Sequence, residues 1–381
     1  MIVVCEPACE GYENVEFNAA LLASVRQAFG EPLLFLAEPA HIGLVAQRVA
    51  AAGLGGVAFR PLAIRARSTG IASLLAEVRR VREVLGLARA RDARAVLFSS
   101  TGAAGLFALK LLAGSPNPPC LVVPHGILET LGSPSGDRWF PRVLRMRNPV
   151  GLRYLVLSSS IEREVLREVP SLAGATSAAQ HPYLFAEPAH CVPEAPPIRF
   201  GSLGTAARGR GLAALVELAR DTLRTRPGKA AFVHIGPVRE LALVEEARDA
   251  VVFPSRGYLP REEYEREIAN IDYALFLNPS DSCRFTVSGA FLDAVSLLKP
   301  VIALRSSYFE HCFEQLGDIG YLCDTPEQVH ELARQLCSRF PKAHYQAQRE
   351  AMRAGREIFA PTAVGASLRA AFALWEAREA A

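Results

Sequence analysis

The sequence has no dominant charge: 42 Lys and Arg stand against 39 Asp and Glu, a formal net charge of only +3 over 381 residues. Proteins that grip a phosphate backbone usually carry a clear basic excess, so nucleic acid is not the expected partner. Paired cysteines are missing too. The eight cysteines, at positions 5, 9, 120, 191, 283, 312, 323 and 337, are scattered singly, whereas a disulfide scaffold shows dense, even spacing in a short chain. They read as reduced, mostly buried thiols. Cys5 and Cys9 have no third Cys or His close in sequence to complete a metal site. No uninterrupted apolar run reaches the roughly 18 residues of a membrane span, and the amino terminus, MIVVCEPACEGYENVEF, turns acidic before a signal-peptide core forms. The expected location is cytoplasmic. Internal repeats and low-complexity tracts are absent, as is any Asp-x-Asp metal motif.

What is present is an alternation. With 50% hydrophobic residues, a chain of this length can bury two ordinary cores. Short apolar runs alternate with longer amphipathic segments, the pattern of parallel strands joined by crossover helices. Strands are expected at residues 2–4, 33–36, 57–59, 95–98, 120–123 and 154–157, with helices at 15–28, 41–52, 102–113 and 161–168 between them. A helix over 71–87 puts Ile71, Leu74, Leu75, Val78, Val81 and Leu85 on one stripe and its arginines on the other. Prolines then crowd AEPAHCVPEAPPI, residues 186–198, which reads as a linker. After it the alternation restarts, with strands at 199–202, 231–235, 251–253, 273–277, 301–304 and 320–323 and helices at 211–222, 287–298 and 326–338. The expected fold is therefore α/β: two Rossmann-like domains, over 1–190 and 191–360, facing across a cleft. A last helix within 361–381 is open to either domain, including a crossing back to the first.

Open α/β sheets gather loops and helix amino termini at the carboxyl ends of their strands, and function is expected there. In RFGSLGTAARGRGLAALVELAR small residues lead from the first strand of the second domain into a helix at about Gly211; its first amides, with Arg208 and Arg210 beside them, suit a diphosphate. A plain strand-to-helix turn reads equally well. In DSCRFTVSGAFLDAVSLLKPVIAL, Ser288 and Gly289 fall in a helix's first turn, Arg284 precedes it within reach of a phosphate, and Asp293 offers a carboxylate to a sugar hydroxyl pair. The same residues also read as an N-capping Ser, a packing Gly and a surface Asp and Arg. In the first domain Glu10, Glu13 and Glu16 follow the first strand, and His125 follows the fifth in VVPHG; of these, His125 and Glu13 are the candidate bases. DRWFPRVLRMRNPVGLR, residues 137–153, sets Arg138, Arg142, Arg145, Arg147 and Arg153 around Trp139 and Phe140 in an expected loop, fit either for anionic lipid or for ordinary solvated surface.

The run from Gly257 to Asp324 resembles the nucleotide-sugar half of GT-B glycosyltransferases, most closely the group that includes family 4. The matching pieces are GYLPREEYEREIANIDYALFLNPS, SGAFLDAVSLLKPVIAL and GDIGYLCD; RFGSLGTAARGRG resembles the family's phosphate loop, and in the first domain only CEPACEGYENVEFNAALL and the order of elements match. The resemblance implies transfer of a sugar from a nucleoside-diphosphate sugar to an acceptor hydroxyl, in polysaccharide or glycoconjugate assembly. It implies no metal or other cofactor, with Arg208, Arg210, Arg284 and helix amides in a metal's place. It adds Gly201, Ser202, Gly257 and Tyr258 to the donor side. The partners it implies are a nucleotide sugar and a glycan or lipid-linked acceptor, with a peripheral membrane contact at the inner membrane face as a further expectation. Two positions depart from the family pattern: Phe285 occupies the place of the first of two paired glutamates, and Ser202 that of an arginine. Donor identity and the stereochemistry of transfer stay open, as do a GT-B-shaped sugar-nucleotide epimerase and a non-catalytic nucleotide-binding relative.

Overall fold

A computed structural model describes residues 1–62, 71–132, 139–185, 196–207, 211–278 and 283–379. The chain divides into two compact units: Met1–Leu184 with Arg284–Val287 and Ile358–Ala381, and Phe185–Cys283 with Ser288–Glu357. Of the linker expected at 186–198, residues 186–195 lie outside the described residues, and Ile198 already begins a strand.

The first unit is a seven-stranded sheet in the order β3-β2-β1-β4-β5-β6-β7. Its strands are β1 Ile2–Cys5, β2 Leu33–Ala37, β3 Val57–Pro61, β4 Ala95–Phe98, β5 Cys120–Val122, β6 Leu152–Val156 and β7 Thr176–Ala178. All are parallel. The central strands IVVC, LLFLA and AVLF are buried at every position because helices cover both faces. Edge strand β3 is partly exposed along its length. The helix Val15–Phe29 ends at Gly30, whose φ of 67° closes it. The carboxyl-terminal helix Pro361–Glu379 lies on it: an added Cβ at Gly365 would come within 2.9 Å of the Ser24 carbonyl oxygen, and the rings of Phe29 and Phe372 are 4.9 Å apart. Arg369 also donates to the Gln27 carbonyl at 2.9 Å.

The second unit is a five-stranded sheet in the order β12-β11-β10-β8-β9, again all parallel. These strands are β8 Ile198–Leu203, β9 Ala230–Ile235, β10 Tyr273–Phe276, β11 Val301–Leu304 and β12 Gly320–Cys323. Its core stacks Phe232, Phe200 and Tyr273 in turn, sets Tyr345 edge-on to Tyr273, and packs them with the apolar faces of the helices Ala213–Thr225 and Pro326–Ser338. The seven described cysteines are free, and no described helix is long and apolar enough to cross a membrane.

Four expectations need correction. Residues 251–253 make only a bridge from Val252 to Val233, since Pro254 follows and Val252 is exposed beyond the edge of β9. β7 was not expected, because Thr-Ser-Ala is too short and too polar to stand out. On the Ile71–Ala90 helix Leu75 is exposed, whereas Arg80 is buried, paired with Glu77 and donating to the Pro7 carbonyl. The expected loop after Arg138 begins as the helix Trp139–Arg145, with Phe140, Val143 and Leu144 buried, and Arg153 lies in β6; Arg138 itself lies outside the described residues.

Candidate functional site

In each unit the chain works outward on one side of its first strand and then returns to the other, which leaves a switch point at the carboxyl ends of two neighbouring strands. In the second unit these are β8 and β10. Leaving β8, the chain turns at Gly204, with φ 93°, and resumes at Gly211, with φ 78°. A Cβ on Gly211 would sit 2.9 Å from the Asn278 side-chain oxygen, so the loop returns against the end of β10. Gly236, after β9, has φ 140°, and a Cβ there would meet the Gly204 carbonyl oxygen at 2.1 Å. Only glycine permits this approach. The two loops are joined by Ala206 donating to Pro237 and Arg239 donating to Ala206, at 2.9 and 3.0 Å.

The helix Gly289–Ser296 begins at this place. Ser288 is its N-cap, its hydroxyl accepting from the Phe291 amide at 3.2 Å. A Cβ on Gly204 would lie 3.3 Å from that of Ala290, while beside Gly289 no atom of the described residues outside its own helix lies within 4 Å of an added Cβ. First-turn amides with no intrahelical acceptor thus stand next to open space and to a glycine-walled loop, an arrangement suited to an anion. Arg208 and Arg210 lie outside the described residues. Gly201 is a packing position, since a Cβ there would strike Ile271 at 2.6 Å, and Ser202 pairs with Leu275 and His234 in the sheet. Gly257 and Tyr258 are exposed in a turn where the Ser255 hydroxyl accepts from the Gly257 amide.

Asp293 is buried. Its oxygens accept from Arg261 at 2.7 Å and from the Tyr264 hydroxyl at 3.2 Å, tying the helix Arg261–Ala269 to Gly289–Ser296. Arg261 also pairs with Glu265 at 2.7 Å.

In the first unit the switch point lies between β1 and β4, and a buried carboxyl group fills it. Glu6 accepts from the Ala8 and Cys9 amides, from the Asn18 side chain and from the hydroxyls of Ser99 and Ser100. His41 donates through Nδ1 to the Gly11 carbonyl at 2.8 Å and accepts through Nε2 from Asn18 at 2.9 Å. The loop carrying Glu10 and Glu13 is pinned by this network, and both glutamates are exposed. Glu16 pairs with Arg48 at 2.8 Å.

His125 follows β5. Its ring meets Phe17 edge-on at 4.6 Å and His181 at 5.6 Å, and its Nδ1 is sheltered with no partner among the described residues. It lines a niche of about 10 Å³, room for no more than a water molecule, with the ends of β5 and β6 and with Phe285, Thr286 and Val287. Arg284 fixes that last segment by pairing with Glu164 and, at 2.9 Å, Glu168 on the helix Ser159–Glu168, over the ring of Phe285. The expected phosphate ligand is thus held by two carboxylates.

Burial lowers three imidazoles: His125 to about 4, His181 to about 3, where the charge of His125 adds to burial, and His234 to about 4. His181 and His234 are fully buried, and neither was singled out from the sequence, where a lone His in an apolar strand or loop carries no periodic signal.

No family model and no curated protein matches the chain. Solved structures do. A glycosyltransferase from Rickettsia africae superposes with a TM-score of 0.68 at 12% identity, over 99% of this chain and 97% of that one. Anabaena HepE in complex with UDP superposes with a TM-score of 0.66 at 13% identity, over 98% and 99%, and its complex with UDP-glucose with 0.65 at 13%, over 100% and 99%. The chain has, along its full length, the GT-B fold of these glycosyltransferases.

Two measurements check this geometry. The buried imidazoles take up protons on unfolding near pH 6.5 but in the fold only near 3 to 4, so the unfolded state binds more protons between those values. Stability is expected to fall as pH drops through that window, by roughly 1.4 kcal/mol per pH unit for each fully protonating imidazole, with half-buried His125 giving the smallest share. His234→Phe should flatten the slope in denaturant melts; an unchanged slope contradicts the assignment. Asp293→Asn, which removes the charge opposite Arg261, should cost about 1.5 to 3 kcal/mol. A melt identical to that of the native chain would show that the pair does not hold the two helices.

Proposed function

We propose that the chain transfers a sugar from a nucleoside-diphosphate sugar to an acceptor hydroxyl, in the assembly of a polysaccharide or glycoconjugate. The observation that carries this reading is the glycine-walled switch point of the second unit, where the first-turn amides of Gly289–Ser296 open onto space beside the Gly204 loop. The full-length likeness to HepE, solved with UDP and with UDP-glucose, supports a uridine diphosphate sugar as the donor class. Placement with family 4 rests on the sequence resemblance over Gly257–Asp324 and in the RFGSLGTAARGRG loop.

The departing diphosphate gains negative charge as the glycosidic bond breaks, so fixed amides and cations aimed at it lower the barrier. We assign that task to the amides of Gly289 and Ala290 and the Gly204 loop, with Arg208 and Arg210, and to no metal ion. Asp293 acts through Arg261 and Tyr264 and so sets where this helix begins. On the acceptor side we assign His125 as the base or orienting group: burial lowers its pKa to about 4, so the ring is neutral at neutral pH and a bare nitrogen can accept the acceptor's hydroxyl hydrogen bond, at the cost of weaker basicity. Arg284 serves this side by fixing Phe285–Val287 beside it. Glu13, exposed on the pinned loop, is the second candidate. The acceptor is a glycan or a lipid-linked glycan, with a peripheral contact at the inner face of the membrane.

Incubation with UDP-glucose and a panel of other nucleotide sugars, with and without glycan acceptors, is expected to release nucleoside diphosphate, and a chelator should leave the rate unchanged. The double variant Arg208→Ala/Arg210→Ala should lose roughly 10- to 100-fold in rate, the worth of charge-assisted contacts. Nucleotide binding with no release under any donor would mark the chain as a non-catalytic relative, and unchanged kinetics in the double variant would remove the arginines from the site.

A further inference from the structure

The helix Trp139–Arg145 has two unlike faces. Phe140, Val143 and Leu144 are buried, whereas Arg142 and Arg145 are exposed, and the chain continues through exposed Met146, Arg147 and Val150, the last 81% exposed. Trp139 is 42% exposed and lies against Phe107, the ring centroids 5.8 Å apart. Phe107 is on the helix Ala103–Leu112, and one turn further along the same face is Leu111, 60% exposed. Two contacts join the patch. Lys110 donates to the carbonyls of Leu144 and Met146, at 3.1 and 2.6 Å, which fastens the end of one helix to the side of the other. Gly151 abuts Gly114, where an added Cβ would lie 2.8 Å from the backbone, which brings Val150 beside the end of the Leu111 helix.

Four large exposed apolar side chains and three exposed arginines therefore share one face. Residues 103–119 and 139–161 contain no Asp or Glu. Asp137 precedes the helix in sequence and exposed Glu129 lies on the 3-10 helix Ile127–Leu131 packed beside it, but cations predominate around the apolar side chains, and such a face is complementary to a surface that is anionic outside and apolar beneath. We infer that this face docks the first unit onto an anionic lipid bilayer, with Trp139, Leu111, Met146 and Val150 entering the headgroup layer and Arg142, Arg145 and Arg147 meeting the lipid phosphates. The inference does not depend on sugar transfer, and its test reads no turnover.

The test is co-sedimentation of the full chain with vesicles of phosphatidylcholine alone and of phosphatidylcholine mixed with phosphatidylglycerol. Binding is expected only to the anionic vesicles, at low ionic strength, with release as salt is added. Replacing all three arginines, in Arg142→Gln/Arg145→Gln/Arg147→Gln, should lower the partition coefficient about a hundredfold, since each cation near such a surface contributes a factor of about five. Met146→Ser/Val150→Ser, at two exposed positions, should weaken binding while leaving its salt sensitivity. Equal binding to neutral vesicles, unchanged binding by the arginine variant or by the apolar pair, no binding at all, or capture by duplex DNA in place of vesicles would each overturn the inference.

Discussion

Every strand pairing in both sheets is parallel, and much of the remaining structure is a consequence. Parallel strands bring all their carboxyl ends to one edge, and each crossover starts its helix at that edge, so unpaired carbonyl and amide groups accumulate there. The two units meet this demand differently. In the second, the edge at β8 and β10 is left open by glycines at 204, 211 and 236, whose backbones approach where no side chain fits. In the first, the edge at β1 and β4 is closed by Glu6, whose carboxyl group accepts from two amides, an amide side chain and two hydroxyls.

That difference has an energetic basis. A buried carboxyl group is tolerated when hydrogen bonds satisfy it, and such a network fixes the loop that supplies them. The loop after β1 is held by Glu6 and, through Gly11, by His41, so it is rigid before any ligand arrives. The second unit instead keeps first-turn amides beside open space, and amides without partners favour an anionic ligand. One edge is thus built for position and the other for capture.

Much of the architecture could be read from the residues in order. Buried strands such as IVVC, AVLF and VIAL and the amphipathic helix Pro326–Ser338 declare themselves through local apolar pattern, and Ser288 as an N-cap follows from its place before a helical run. The side-chain partnerships could not be read in this way. Arg284 looked available to a phosphate, yet its partners are Glu164 and Glu168, more than a hundred positions earlier; Asp293 looked available to a sugar, yet Arg261 and Tyr264 reach it from another helix. Periodicity tells which way a residue faces but not which residue from a distant element faces it. The same limit hid Glu6, His181 and His234, whose roles come from what surrounds them after folding. A basic, aromatic segment expected as a loop proved to be a helix because Phe140, Val143 and Leu144 recur at helical spacing beneath the arginines.

The central claim is that the glycine-walled edge of the second unit holds the diphosphate of a nucleotide sugar. Amide hydrogen exchange of the full chain with and without UDP-glucose tests it most directly. The account predicts slower exchange at Gly204–Ala206, at Gly236–Arg239 and at the first turn of Gly289–Ser296, with little change in the loop pinned by Glu6. Protection confined to other segments, or none at saturating UDP-glucose and other nucleotide sugars, would contradict it.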